Sequence, residues 1–215
     1  MNNIFLSGGG DAQQSEKFDR LYKNALPGNK ILYIPWAFYP QSYDGCRKWI
    51  DTIFPAERGY KLEILHEDDN FDTDSLVNDY DGVYIGGGNT FRLWNLIKQT
   101  GFDKLLKKFT ELGKPVYGGS AGAIIMGKEI NTSPDLNVTK LTDQDCLGLN
   151  YFDGYSIFCH YKAKQDPEIY DYIRNYGFPV IALEEGVGVY LQDGRIYSGG
   201  EGSAYVITLD GKKEI

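Results

Sequence analysis

Basic residues, histidine, cysteine and long apolar runs are all scarce in this chain of 215 residues, and each shortage removes a class of function. Lysine and arginine total 22 against 30 aspartates and glutamates, a formal net charge of −8. No basic surface is therefore expected to neutralise nucleic-acid phosphates. No run reaches the ~18 apolar residues that span a bilayer. The opening segment Met1–Ser7 has neither the basic start nor the apolar core of an export signal. These absences predict a cytoplasmic chain with no membrane partner. The three cysteines, Cys46, Cys146 and Cys159, are odd in number and unpatterned, and read as buried thiols of a reducing compartment. His66 and His160 are the two histidines, and no His/Cys cluster has zinc spacing, so no metal is expected. The glycine runs lack both the G-x-G-x-x-G spacing and a Walker lysine, which argues against a nucleotide. No cofactor is expected.

What is present is an alternation of short β-type runs with helix-length segments. Asn3–Leu6, Ile31–Ile34, Lys61–Leu65, Gly82–Ile85 and Pro115–Tyr117 read as strands. Between them, Gln13–Ala25, Tyr43–Ile53, Ser75–Asn78, Thr90–Lys98, Asp103–Glu111 and Ala121–Gly127 read as helices. That rhythm predicts an α/β fold with a mostly parallel sheet flanked by helices. Beyond Asp153 the pattern becomes strand-rich: Tyr155–Cys159, a helix over Pro167–Tyr176, then Val180–Leu183, Gly188–Leu191, Arg195–Tyr197 and Ala204–Thr208. Asp193-Gly194 and Asp210-Gly211 are hairpin turn signals. The C-terminal part is expected to be an antiparallel extension of the same sheet. A length of 215 residues, without a linker, repeat or low-complexity tract, predicts one domain over 1–215.

The most informative stretch joins the run Pro115–Tyr117 to Gly118-Gly119-Ser120-Ala121-Gly122 and then to a helix-prone apolar segment. This G-x-S-x-G pattern is that of a nucleophile elbow, in which small neighbours let the chain reverse sharply and leave the serine hydroxyl clear of the backbone. The peptide N–H of Ala121, at the helix start, would face the developing negative charge as half of an oxyanion hole. A Gly-rich packing turn would share the pattern. A serine nucleophile needs a base. His160 follows the strand Tyr155–Cys159 and so sits at a strand end, where open α/β sheets gather ligand-binding residues. His66 instead enters the acidic run Glu67-Asp68-Asp69-Asn70, which reads as a solvated loop. Context favours His160.

A second glycine run, Gly86-Gly87-Gly88, also lies between a strand and a helix, with Asn89 or Thr90 as N-cap. Its freed N–H groups suit a phosphate or a transient oxyanion. A third, Gly8-Gly9-Gly10, reads as a structural turn at the sheet edge. For the carboxylate that orients the histidine, two places are open: Asp135, in the loop after the elbow helix, and Glu184-Glu185, which ends the strand Val180–Leu183.

With Gly-Gly-Gly-Asn-Thr-Phe at 86–91, Gly-Ser-Ala-Gly-Ala at 119–123, Asp135, His160 and Glu185-Gly186, the chain resembles the dipeptidase E branch of serine peptidases, related to the cyanophycinases. The resemblance spans most of the chain and is strongest between Gly82 and Met126. It implies a class I glutamine amidotransferase-like sheet and hydrolysis of short peptides through an acyl-enzyme. It makes Ser120 the nucleophile, His160 the base, Glu185 the triad acid, and the Gly88 and Ala121 amides the oxyanion hole, with Asp135 as an accessory acid. A small peptide substrate and a monomer or small homo-oligomer are expected. Asn89, Lys162 and Lys164 are candidate substrate-binding residues. The family's aspartyl-specific member carries an arginine-bearing segment after the histidine. Here Tyr161–Pro167 has two lysines, and no arginine precedes Arg174. Strict aspartyl specificity is therefore not expected, because a lysine ammonium lacks the bidentate fork of arginine. A non-catalytic binding protein, or an amidase or acyltransferase built on the same elbow, would carry the same motifs.

Overall fold

The computed structural model describes residues 3–215; Met1 and Asn2, which open the N-terminal segment read above, lie outside it. Strands β1 (Ile4–Ser7), β2 (Lys30–Ile34), β3 (Lys61–Ile64), β4 (Gly82–Ile85) and β5 (Val116–Gly119) alternate with helices. These are α1 (Glu16–Ala25), α2 (Tyr43–Ile53), α3 (Thr73–Asp79), α4 (Thr90–Thr100), α5 (Phe102–Glu111) and α6 (Ala121–Ile124). The second half holds β6 (Ser156–Phe158), α7 (Asp166–Tyr176), β7 (Val180–Leu183), β8 (Val187–Gln192), β9 (Arg195–Gly200), β10 (Ala204–Thr208) and β11 (Gly211–Glu214). The fold is a single-domain α/β architecture, with a mostly parallel sheet flanked by helices and antiparallel strands at the C-terminal end.

The main sheet runs β3-β2-β4-β5-β1-β8-β9. Its first five strands are parallel, and β8 and β9 add antiparallel. Strand alternation explains how it is covered. Ile4, Leu6, Leu32, Ile34, Val83, Ile85 and Val116 face one side and pack with α4, α5 and α6. Phe5, Ile31, Tyr33, Tyr84 and Tyr117 face the other, against Phe18 and Tyr22 of α1 and Cys46 and Ile50 of α2. That second layer is unusually aromatic; Tyr84 stacks on Tyr117 with ring centroids 4.1 Å apart.

The expectation of one continuous sheet is corrected. Only β8 and β9 extend it; β6, β7, β10 and β11 form a second sheet in the order β11-β10-β7-β6, with β6 and β7 parallel. The physical reason is that β7 is buried on both faces. Ile181 and Leu183 join the main core, while Val180 and Ala182 pack with α7 through Ile169, Tyr172 and Ile173. The sheet built around β7 is therefore a separate layer packed between the main core and α7. The two hairpins fall where the turn signals placed them, and Asp193 and Gly194 both have positive φ, 51° and 73°, as a tight β-hairpin requires. Helix α6 ends at Ile124 instead of Gly127. There Met126 and Gly127 close i→i+3 bonds to Ala123 and Ile124, and a Cβ on Gly127 would stand 2.9 Å from the Ile157 nitrogen. The chain must leave the helix at that close approach.

Candidate active site

Parallel register brings the strand exits together. Ser7 pairs with Gly119, and Leu6 and Ile85 both pair with Gly118, so Gly8, Gly86 and Ser120 emerge at one level of the sheet. In the second sheet Phe158 pairs with Ala182, so the chain beyond β6 and the chain beyond β7 also leave side by side. Backbone hydrogen bonds join the two groups of exits. The His160 N–H donates to the Gly8 carbonyl at 2.9 Å, and the Gly186 N–H donates to the Gly9 carbonyl at 3.0 Å.

Ser120 has φ 50° and ψ −111°, outside the regions ordinarily open to a residue with a Cβ. The strain is held by surrounding close contacts. A Cβ on Gly118 would lie 2.3 Å from the Gly122 carbonyl oxygen, and one on Gly122 would lie 2.5 Å from that of Ile85. Glycine at both positions is what lets strand, turn and helix pack this closely. Ser120 Oγ lies 2.9 Å from His160 Nε2, and His160 Nδ1 lies 2.9 Å from Glu185 Oε1. A carboxylate can only accept, so Nδ1 carries the proton and Nε2 offers its lone pair to the serine hydroxyl. The hydrogen bond from His160 is the largest influence on the Glu185 carboxyl and holds it below the ordinary glutamate value.

The other candidates separate cleanly. Glu184 accepts from the Ser203 N–H at 2.9 Å and does not meet the imidazole. Asp135 accepts from the Thr90 N–H at 2.7 Å and from the Ser133 hydroxyl at 2.8 Å, so it ties the loop after α6 to the start of α4. Asn89 caps the same helix, accepting from the Arg92 N–H while donating to the Leu136 carbonyl, so its amide is occupied at both ends. The N–H groups of Gly88 and Ala121 donate to no backbone carbonyl among the described residues. Lys162 and Lys164 are exposed; the charge of Lys162 contributes to the lowering at Glu185, and neither residue lines the cavity beside Ser120. His66 lies in an exposed loop beyond the outermost strand, β3, with its ring edge-on to Tyr43. Cys159, beside His160 in sequence, turns its thiol to the carbonyls of Ser7 and Ser120, and full burial pushes its pKa up. It is no rival nucleophile.

Three features escaped the sequence reading. Gly8-Gly9-Gly10 is no edge turn, because β1 lies between β5 and β8. Gly9, at φ 100°, sits against the imidazole so closely that a Cβ would stand 2.3 Å from His160 Cε1. The repeated pattern of a strand followed by three glycines was the available signal. The second is buried Arg92, whose guanidinium bonds Glu67 at 2.6 Å and the Trp36 carbonyl, and lies over the Tyr39 ring. It anchors the loop whose Ala37 carbonyl receives the Asn89 N–H, just past Gly88. The third is an aromatic cavity of about 520 Å³ that opens at Ser120.

A serine in a forced turn, in contact with an imidazole that is itself bonded to a carboxylate, is the arrangement of a serine-type hydrolase. The family model described as Peptidase family S51 matches residues 4–198. The chain belongs to that family and is a serine-type peptidase. It is similar to peptidase E of Shewanella denitrificans, 28% identical over an alignment of 184 positions that covers 82% of this chain and 77% of that protein. It is also similar to a Drosophila melanogaster protein named "Probable alpha-aspartyl dipeptidase", 26% identical over an alignment of 211 positions that covers 92% of this chain and 83% of that one. In fold it is similar to the crystal structure of a peptidase from an acI-B1 Actinobacterium, with a TM-score of 0.75 and 17% identity over 100% of this chain and 94% of that one. No helix among the described residues is long and apolar enough to cross a membrane.

Proposed function

We propose that this peptidase hydrolyses short peptides through a Ser120-His160-Glu185 triad on a nucleophile elbow, with an acyl-enzyme intermediate, as one peptidase domain over 1–215. The observation that carries the reading is the pair of 2.9 Å contacts that link Ser120, His160 and Glu185 in one line. Ser120 Oγ attacks the scissile carbonyl carbon as its proton passes to His160 Nε2. The carbonyl oxygen becomes an oxyanion held by the Gly88 and Ala121 N–H groups. The C–N bond then breaks, His160 returns the proton to the leaving amine, and an ester on Ser120 remains. Water attacks that ester with His160 again as base, releasing the acid and restoring the serine. Glu185 keeps the imidazole in the required tautomer and stabilises its charged form. Asp135 supports the site indirectly, through the start of α4.

The printed name of the Drosophila relative supports a dipeptide-sized substrate, and the excess of acidic over basic residues supports action without nucleic acid; the protein is taken to act as a monomer or small homo-oligomer. Three free, buried cysteines fit a reducing, cytoplasmic setting. The test is fluorophosphonate labelling with peptide mapping, joined to digestion of a short-peptide library. Labelling at Ser120, and cleavage lost in Ser120→Ala, are the expected results. Undiminished cleavage by Ser120→Ala would overturn the mechanism. Labelling without cleavage of any peptide would move the activity to another acyl substrate.

A further inference from the structure

The cavity that opens at Ser120 has walls of an unexpected character for a site related to aspartyl dipeptidases. Tyr33 of β2, Tyr84 of β4, Tyr117 of β5, Cys46 and Trp49 of α2, and Phe38 are the bulky side chains of its lining, and small residues, chiefly glycine and serine, make up most of the rest. No lysine or arginine takes part. The cation closest in the chain to its Gly86–Gly88 rim, Arg92, is committed to Glu67 and the Trp36 carbonyl. Ser15, itself in the lining, gives its hydroxyl to the buried carboxyl of Asp19 behind it at 2.8 Å. An acidic side chain in this space would lose its hydration, find no opposite charge, and approach another carboxyl.

Strand order determines which part of a peptide enters. His160 and Glu185 are attached on the β1 side of Ser120, through the bonds to Gly8 and Gly9. The cavity borders both sides of Ser120: Ser7, Gly9, Gly10 and His160 edge it on the β1 side, while its aromatic walls, Tyr33, Tyr84, Phe38 and Trp49, lie on the β4 and β2 side. The leaving amine must sit over His160 to receive its proton, so the acyl half of the substrate extends the other way, towards the aromatic walls. On the catalytic reading of Ser120 given above, on which this inference rests, we propose that the cavity is the acyl-side specificity pocket and that it takes an uncharged apolar side chain, aromatic above all. A volume of about 520 Å³ accommodates a ring with part of the peptide backbone. Aromatic walls reward a ring through offset and edge-on contacts.

The inference is tested on the purified protein with Phe-Ala, Ala-Ala, Asp-Ala and Ala-Phe, measuring kcat/KM beside fluorophosphonate labelling of Ser120. Phe-Ala is expected to exceed Ala-Ala by about tenfold or more, and Asp-Ala by about a hundredfold or more. Ala-Phe should gain nothing over Ala-Ala. A Cβ on Gly45, in the first turn of α2 and in the cavity lining, meets nothing within 4 Å. Gly45→Phe should therefore fold and fill the pocket, lowering the Phe-Ala to Ala-Ala ratio about tenfold. Phe38→Arg, at a lining position that is 43% exposed and so tolerant of change, is the second variant. It should raise Asp-Ala relative to Phe-Ala by about tenfold. Asp-Ala turned over as fast as Phe-Ala, a gain confined to Ala-Phe, or ratios unmoved by both variants would overturn the pocket while leaving the triad intact. No labelling and no cleavage of any of the four would overturn the catalytic reading, and the pocket with it.

Discussion

Gly9→Ala is the most discriminating perturbation of this site, because it adds one methyl group to a residue that takes no part in the chemistry. The new Cβ would stand 2.3 Å from His160 Cε1 and 2.8 Å from Nε2. Carbon atoms in ordinary contact sit about 3.5–4.0 Å apart, so the imidazole would have to retreat by roughly 1.2–1.7 Å. The contacts to Ser120 and Glu185 are each 2.9 Å. Moving either beyond about 3.5 Å breaks it, since hydrogen bonds weaken steeply at such lengths. A 1 Å misplacement costs about a hundredfold in rate, and loss of general base catalysis about 10²–10⁴. A fall in kcat of about 10²–10⁴ is therefore expected. The left-handed φ of 100° adds a stability loss of about 1–3 kcal/mol, which lowers Tm by about 2–12 °C for a chain of this size. Steady-state kinetics on a cleaved dipeptide and a thermal melt separate the two effects, because a folded but slow protein should remain below its Tm at the assay temperature. A kcat within threefold of wild type in folded Gly9→Ala would refute the argument that this glycine positions the imidazole.

Ser120→Gly should abolish peptide cleavage yet raise Tm by several degrees, because it releases a strained backbone worth about 1–3 kcal/mol; an unchanged or lower Tm would show that the turn stores no strain. Glu185→Gln should lower kcat by orders of magnitude, whereas Asp135→Asn should chiefly cost about 1 kcal/mol of stability at the start of α4; kinetics and melts of the pair check the assignment. The pKa of Glu185 is lowered on folding, so its stabilising contribution is present above the ordinary glutamate value and is lost as pH falls through the lowered one. The Tm difference between wild type and Glu185→Gln should accordingly shrink on acidification below about pH 4, and a difference that grows there would reverse the sign. Arg92→Ala leaves Glu67 without its cation in a largely buried pair and should cost about 3–5 kcal/mol in denaturant unfolding, while exposed His66→Ala should match wild type in both stability and kcat.

The sequence by itself determined the local devices. Short β-type runs alternating with helical segments specified the parallel half of the main sheet. Small residues around Ser120 specified the forced turn, because only glycine tolerates the contacts at 118 and 122. Asn89 was legible as a helix cap for the same reason, since capping is decided within four residues of chain. Whether β6, β7, β10 and β11 continue one sheet or build a second could not be read locally. Each run has the same composition in either arrangement, and burial of β7 on both faces depends on α7 and the main core meeting it from opposite sides. For the carboxyl that meets His160, residue type and position left three candidates, the family resemblance pointed to Glu185, and the contact itself comes from tertiary structure. Asp135, Glu184 and Glu185 are equally acidic in sequence, and only the parallel pairing of β6 with β7 brings the last of them to 2.9 Å from the imidazole. The place of Gly9 and the aromatic cavity have the same origin, since both arise where strands and helices distant in sequence come within van der Waals contact, and that proximity is set by register and layer packing rather than by any short run of residues.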